Sequence, residues 1–288
     1  ATNTAVGASA LVSNTSGSVN VAVGVNALYS NTEGSANVAS GVSSMYNNTT
    51  GSFNTAYGRD ALSANTTASN NTAVGYQAGY ANTTAEGLTV FGKQSGYSNT
   101  TGGGLTAIGD RASLSNSTGV ANTSLGGIAL YSTTTGGSNT AVGNAALFSN
   151  TTASNNTAVG YQAGYSNTTG AENVCVGQNT GASLTTGFAN TFIGRAAGED
   201  VTTGSNNTII GRYSGNQGGL DIRTLNNHIV LSDGAGNPRL YVIANGVTYL
   251  PGVYTNTSAE AANVVAYSGG QGDLYRSVSA LKYKQDIR

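Results

Sequence analysis

The chain has one cysteine, no tryptophan, two prolines, one histidine and only 8% charged residues among its 288. A single thiol excludes an internal disulfide framework, and no cysteine or histidine spacing fits a metal site, so neither a metal nor a cofactor is expected. The net charge of −1 lacks the basic footprint that displaces counterions from nucleic acid, which excludes that class of partner. No apolar run approaches the ~20 residues of a membrane span. No signal peptide opens the chain either, and any export signal or anchor is expected upstream of Ala1. Low charge and 42 glycines would suit a disordered linker, but disorder goes with high net charge and few aromatics, whereas tyrosine alone numbers 16.

What is present is a repeat. The phrase N-T-A-V-G-Y-Q-A-G-Y occurs at Asn71 to Tyr80 and again, unchanged, at Asn156 to Tyr165. Looser copies align on a central glycine at positions 7, 24, 41, 58, 75, 92, 109, 126, 143, 160, 177, 194 and 211, always 17 residues apart. A spacing that strict over so many copies means that each repeat takes an equivalent place in a stack. The segment from Asn65 to Tyr80 returns as Asn150 to Tyr165, five repeats later, as a block duplication would leave it.

Within each repeat, a β-branched residue stands three before the glycine (Thr4, Val21, Val38, Thr55, Thr72) and an apolar one just before it (Val6, Val23, Val74, Phe91, Ile108), with Ser40 and Tyr57 as exceptions. A small residue, usually alanine, lies between them, and Cys175 takes that place in its own repeat as a small buried apolar side chain. This period-two pattern predicts a short strand. Three residues past the glycine the side chain is always small (Ala10, Ala27, Ser44, Ala61, Ala78), which implies close approach of backbone from another coil or another chain. Leu or Gly and then often Tyr follow (Tyr29, Tyr46, Tyr80, Tyr97, Tyr131, Tyr165), predicting a second short strand. The remainder, worded S-N-T-T-G, is turn chemistry, with Asn and Gly expected to supply left-handed conformations. The N-x-T triplets at Asn65 and Asn82 belong to those turns and are not read as glycosylation acceptors. Two strands and two turns in 17 residues predict an all-β parallel β-roll, a solenoid of thirteen coils about 60 Å long, with Asn and Thr side chains stacked in ladders.

The phrase N-T-A-V-G-x-x-A resembles the head repeats of YadA-like trimeric autotransporter adhesins, and the longer wording N-T-A-V-G-Y-Q-A-G-Y-S-N-T-T-G is similar to repeats of bacteriophage tail fibres and bacterial surface fibres. The resemblance covers Ala1 to Asn216, with a period longer than that usual in YadA-like heads. It implies a homotrimeric fibre of three parallel rolls about a threefold axis, at the bacterial cell surface or on a phage virion. The small-residue columns are consistent with close packing at such an axis.

After Tyr213 the period fails. The expected division is a roll over residues 1–216, a small β-rich trimeric neck or tip over 217–275, and the start of another domain over 276–288. Asn216-Gln217-Gly218-Gly219 has the composition of a flexible hinge. Asn227–Leu231 and Arg239–Ile243 read as a hairpin turning at Asp233–Pro238, with His228 as a structural histidine, and Asn263–Tyr267 as a further strand. The loop Gly269–Asp273 is only a partial copy of a calcium-binding repeat and is not taken as one. Leu274–Arg288, L-Y-R-S-V-S-A-L-K-Y-K-Q-D-I-R, resembles the opening of the intramolecular chaperone of endosialidase-type tail spikes, commonly worded S-D-x-R-L-K-x-N-I. The resemblance matches Ser279, Lys282, Lys284 and Asp286-Ile287, with Ala280 in place of the usual Asp. It implies self-cleavage before Ser279 with Lys284 as the activating base, provided that the chaperone domain is present.

The leading expectation is therefore a non-enzymatic structural and adhesive fibre segment that spans distance and contacts a target surface, a glycan, through Leu220 to Tyr275. The alternatives are a glycan-degrading tail-spike depolymerase and an ice-binding solenoid. A depolymerase needs paired acids, yet Glu33, Asp60, Glu86, Asp110, Glu172 and Asp221 are scattered singly and only Glu199 and Asp200 adjoin. Ice binding would use the threonine column (Thr55, Thr72, Thr89, Thr106, Thr123, Thr140, Thr157), but valine at 21, 38 and 174 suggests that this face is buried.

Overall fold

A computed structural model describes residues 2–251, 265–266 and 275–276. The described chain is a β-solenoid. Thirteen three-residue strands, β1 (Thr4–Val6) to β13 (Thr208–Ile210), begin every 17 residues and stack in one parallel sheet. Each residue pairs with its equivalent in the next coil, as in Thr4 with Val21 and Ala5 with Ala22. Perfect register is what a repeat without insertions produces, and it carries every column of the sequence into a column in space.

The predicted strand forms where expected; the second does not. The six residues after each glycine form a run of turns, with positive φ two and four residues past it, as at Asn26 (58°) and Leu28 (52°). The backbone coils there yet remains bonded to its neighbours: Leu28 N–H donates to Ser44 O (3.0 Å) and Ser30 N–H to Tyr46 O (3.0 Å). Left-handed leucine is costly in isolation. Burial of the side chain offsets it, since Leu28, Leu62, Leu130 and Leu147 form the centre of the core. The left-handed positions thus fall outside the S-N-T-T-G phrase, whose asparagines serve another purpose.

Those asparagines are the polar half of the interior. Asn48 Nδ2 donates to Asn31 Oδ1 (2.8 Å) and to Gly51 O (2.9 Å), and Asn37 Nδ2 reaches the same carbonyl (2.8 Å). Asn54 N–H donates to Asn37 Oδ1 (3.0 Å). Two asparagine columns, fully buried, so satisfy one another and the turn carbonyls along the solenoid. Asn65 and Asn82 belong to this interior, which removes both triplets from the surface. Threonines of the same phrase ladder through backbone, as Thr32 Oγ1 donates to Thr49 O (3.2 Å).

The ladder has faults where leucine replaces asparagine, as at Leu184, which leaves Asn167 Oδ1 without a partner. Leu88 and Leu105 replace two asparagines, and next to them Asn82 Oδ1 and Asn99 Nδ2 are left without partners. Asn65 by contrast uses both ends, giving to Asn48 Oδ1 and Ala68 O and accepting from Asn82 Nδ2. Asn65→Ala is therefore expected to cost about 2–4 kcal/mol, by orphaning buried partners on both sides. Asn99→Ala should cost less than half of that. Urea midpoints followed by circular dichroism will rank the two.

The apolar interior is narrow. It holds the alanine between the two β-branched strand residues, the small residue three past the glycine, and the leucine that follows. Size is exchanged between columns. Where the strand position grows to Val90 or Phe192, the left-handed position beside it shrinks to glycine: Gly79 and Gly96 border Val90, and Gly181 and Gly198 border Phe192. Where both are small and polar, Ser113 Oγ and Ser124 Oγ bond each other at 2.9 Å. Cys175 is buried in the strand column as expected, and burial pushes its thiol up to about 12.

Of two expectations about packing, one is decided between its alternatives and one is corrected. The column three past the glycine is buried within the single roll, as at Ala27, Ala61, Ala78, Ala112 and Ala129, so its smallness needs no second chain. The outer strand residues, expected to be buried, face outward: Val21 and Val38 are exposed. A coil of this bore has no room for both strand faces inside.

The period does not end at a hinge. Asn216–Gln217 (β14) and Leu220–Asp221 (β15) pair antiparallel across Gly218 and Gly219, both with positive φ, which makes a tight two-residue turn. This insert lengthens one coil to 21 residues, after which Ile229–Ser232 (β16) pairs parallel with β13 as a fourteenth rung. His228 then occupies the place of the ladder asparagines: its N–H donates to Asn207 Oδ1 (2.9 Å), and its Nδ1 lies 2.7 Å from Asn226 O. The expected hairpin follows, with Pro238–Val242 (β17) antiparallel to β16 and Thr248–Tyr249 (β18) antiparallel to β17. Phe192, Ile209, Val230, Tyr213 and Ile222 widen the core at this end, and Tyr213 Oη donates to Leu220 O (2.7 Å). The sheet is thus continuous across residue 216. Val265–Ala266 (β19) pairs antiparallel with Tyr275–Arg276 (β20).

Candidate functional site

The feature that stands out on this surface is the outer face of the stacked strands. Side chains just before the glycines point away from the core: Val6, Tyr57 (62% exposed), Phe91 (55% exposed), Leu125, Ile193 and Ile210, followed by Leu231 at the equivalent place in the fourteenth rung. Beside them run the threonines and valines that start each strand, partly or fully exposed. At about 4.8 Å per rung and about 10 Å per strand, fourteen rungs make a stripe of roughly 650 Å². About half of it is apolar, because the neighbouring column is mostly threonine, so the apolar part is comparable to the largest such patch on an ordinary soluble monomer, about 300–600 Å². The stripe follows from the burial of the alanine column, because period-two alternation then sends its two neighbours outward.

A second surface feature is an aromatic column five residues past the glycines. Tyr29 stacks on Tyr46 with ring centres 4.9 Å apart, Tyr80 on Tyr97 at 5.1 Å, and Tyr131, Phe148 and Tyr165 form a triple at 5.1 Å per step. Ring spacing equals coil spacing, so the column is a consequence of register.

The charged residues are held locally. Asp60 pairs with Arg59, Asp110 with Arg111, Asp221 with Arg223 and Asp233 with Arg239. Asp200 accepts from Ser214 Oγ (2.7 Å) and Glu199 from Asn179 Nδ2 (3.4 Å). Among the described residues no three His, Cys, Asp or Glu side chains cluster as metal ligands would. No helix among them is long and apolar enough to cross a membrane. Ser279 and Lys284, the residues of the expected self-cleavage, lie outside the described residues, as do Lys282, Asp286 and the loop Gly269–Asp273.

Of the expected recognition segment, the part up to Pro251 is described. Its turn is closed by Asp233, which accepts from Asn237 N–H (2.9 Å), Arg239 Nη2 (2.6 Å) and Ala235 N–H (3.0 Å). The Asn237 amide, followed by Arg239, holds this carboxyl well below the usual carboxylate range. A depressed carboxylate stabilises the fold above its unfolded pKa, and that contribution is lost as pH falls through the folded pKa. The β16–β17 turn is therefore expected to loosen below about pH 4, where an unfolded aspartate takes up its proton. Amide exchange at Ala235 and Asn237, followed by NMR from pH 6 to pH 2, checks this, and Asp233→Asn should show the loosened exchange already at pH 6.

Tyr241 and Tyr249 stack across β17 and β18 at 4.6 Å, and Tyr249, Leu250 and Val247 are exposed near them. No family model, no curated protein and no solved structure matches this chain.

Proposed function

We propose that this chain is a structural and adhesive segment of a homotrimeric fibre, spanning distance outside the cell, on a bacterial surface or a phage virion, and contacting a glycan. The observation that carries the reading is the column of outward apolar side chains along one side of the solenoid, interrupted at Ser40. A surface of that area, straight and in register, is costly to leave in water and is met best by an equally long copy of itself. Three copies are inferred from the resemblance of the repeat wording to trimeric fibre heads, and from that of Leu274–Arg288 to a trimerising chaperone. In a chain that carries the chaperone domain, the same resemblance gives Ser279 and Lys284 the self-cleavage.

The solenoid supports the spanning role through its one-dimensional construction: each coil contacts its neighbours alone, so length is added by repeating the coil. The Asn65–Tyr80 block and its copy at Asn150–Tyr165 are such an addition. The threonine column is interleaved with valine and bordered by Tyr57 and Phe91, which makes an uneven surface for an ice lattice.

The test is the mass in solution, by light scattering on the 288-residue chain before and after dilution and mild heating. A persistent mass of three chains is the expected result. A folded monomer at micromolar concentration would sink the threefold reading.

A further inference from the structure

The aromatic column has a gap with tyrosine on both sides. Tyr46 ends one stacked pair and Tyr80 begins the next, and the coil between them carries Ser63 at the position of the ring. The strands on either side pair without a slip, Ala39 with Ala56 and Ala56 with Ala73, so Tyr46 and Tyr80 are two rungs apart. At the ring spacing of the intact pairs their centres are about 10 Å apart, and the missing rung leaves a slot one ring thick. The other interruptions differ. Leu114 fills its place with a branched apolar side chain, and Ala182 has Tyr165 on one side but Glu199 on the other.

Tyr46, Ser63 and Tyr80 are each half-buried, so the slot is open to solvent and firmly based. Its rim is polar. Ser63 supplies a hydroxyl at the floor and the two phenols supply hydroxyls at the walls. Ser43 and Asp60 hold the repeat position two past the glycine, the position from which Asn179 Nδ2 donates to Glu199 of the following coil (3.4 Å). Ser43 thus stands one coil before Ser63, and Asp60 one coil before Tyr80, at equivalent repeat positions. The Asp60 carboxylate is already oriented by Arg59 Nε at 3.2 Å.

We propose that this slot binds one pyranose ring of a glycan, sandwiched between Tyr46 and Tyr80. A pyranose has two faces rich in C–H and a perimeter of hydroxyls, which matches two aromatic walls with a polar rim. A flat aromatic ring would use the walls but make none of the rim's hydrogen bonds, which would stay with water. The assignment rests on the glycan-contact reading above and moves the contact from the tip to the shaft.

The experiment is saturation-transfer NMR on the full chain with the methyl glycosides of glucose, galactose and N-acetylglucosamine, and with p-cresol as the aromatic competitor. Ser63→Tyr restores the missing ring and should leave the melting temperature unchanged or higher; Ser63→Leu, the residue found at 114, serves if the first variant fails to fold. The expected result is transfer to the ring protons of at least one glycoside, reduced at least tenfold in either variant. Transfer that persists in both variants overturns the slot and leaves glycan contact elsewhere standing. Transfer to none of the glycosides overturns the slot for these sugars, and a folded chain that also fails to bind in a broad glycan screen overturns the glycan reading itself. Binding of p-cresol alone, abolished by the variants, overturns the pyranose assignment in favour of an aromatic occupant.

Discussion

Gly109→Ala is expected to lower the melting temperature by at least about 6 °C and to open the stack at that coil. The glycine has φ +139°, and an added Cβ would lie 2.5 Å from Gly126 O, a backbone atom of the next coil. Both the conformation and the collision act on backbone, so no side-chain rotation relieves them. Together they are put at about 3 kcal/mol or more, and 1 kcal/mol moves the melting point of a chain of this size by roughly 2–4 °C. The same collision recurs at Gly92 and Gly126, which face the carbonyls of Gly109 and Gly143. Because coils interact with nearest neighbours, the damage should be local in structure. Limited proteolysis should cut the variant near residue 109 and release two resistant halves. Gly219→Ala is the control: its φ is +81° but nothing lies within 4 Å of the added atom, so the cost should stay near 1 kcal/mol. A Gly109→Ala chain that melts with the wild type would contradict the coil-on-coil register.

Register, coil length and the strand before each glycine were legible in the sequence, because they depend on period alone. The thirteen glycines, the burial of Cys175 and the β16–β17 hairpin follow from the same pattern. Which face of the strand lies inside was not. Alternation separates Ala73 from Thr72 and Val74 but does not say which side is the core, and hydrophobicity favours the wrong one. The interior is lined by asparagine and alanine because the coil is too tight for valine on both walls.

A usable signal was nonetheless present. Residues that share an interior exchange volume, and the chain records this against itself: Val90 with Gly79 and Gly96, Phe192 with Gly181 and Gly198, Ser113 with Ser124. The position just before the glycine varies from Ser40 through Val74 to Phe91 with no matching change elsewhere in the coil, as an outward position does. The second strand failed for a different reason. Tyrosine favours strands on average, but here it follows a left-handed residue such as Leu28 or Gly79, which local propensity does not foresee. The hinge at Asn216–Gly219 failed because Gly-Gly is equally the centre of a two-residue hairpin turn, and only the pairing of Gln217 with Leu220 decides between them. The Ser63 slot needs the register first: a serine in a tyrosine column is unremarkable until the column is known to be stacked.

The stripe yields the last expectation: if the proposed trimer packs through it, Phe91→Lys combined with Leu125→Lys reduces the solution mass from three chains to one. Both side chains lie on the outward face and about half of each is exposed, so the roll itself has little reason to respond. Across an interface between copies each would bury an apolar side chain worth about 1.5–3 kcal/mol, and a lysine in its place brings a charge with no partner. Two positions in each of three chains weaken association by many orders of magnitude, far below micromolar working concentrations. Phe91→Thr with Leu125→Thr isolates the apolar contribution, since threonine already stands in the neighbouring outward column at Thr89 and Thr123. The neutral pair should weaken association without abolishing it, and the charged pair should abolish it. Circular dichroism must then show the β-rich spectrum of the wild type in the charged pair, which places the change at the interface. If the mass stays at three chains in the charged pair, the copies meet through another surface, and the stripe must be assigned to a different partner.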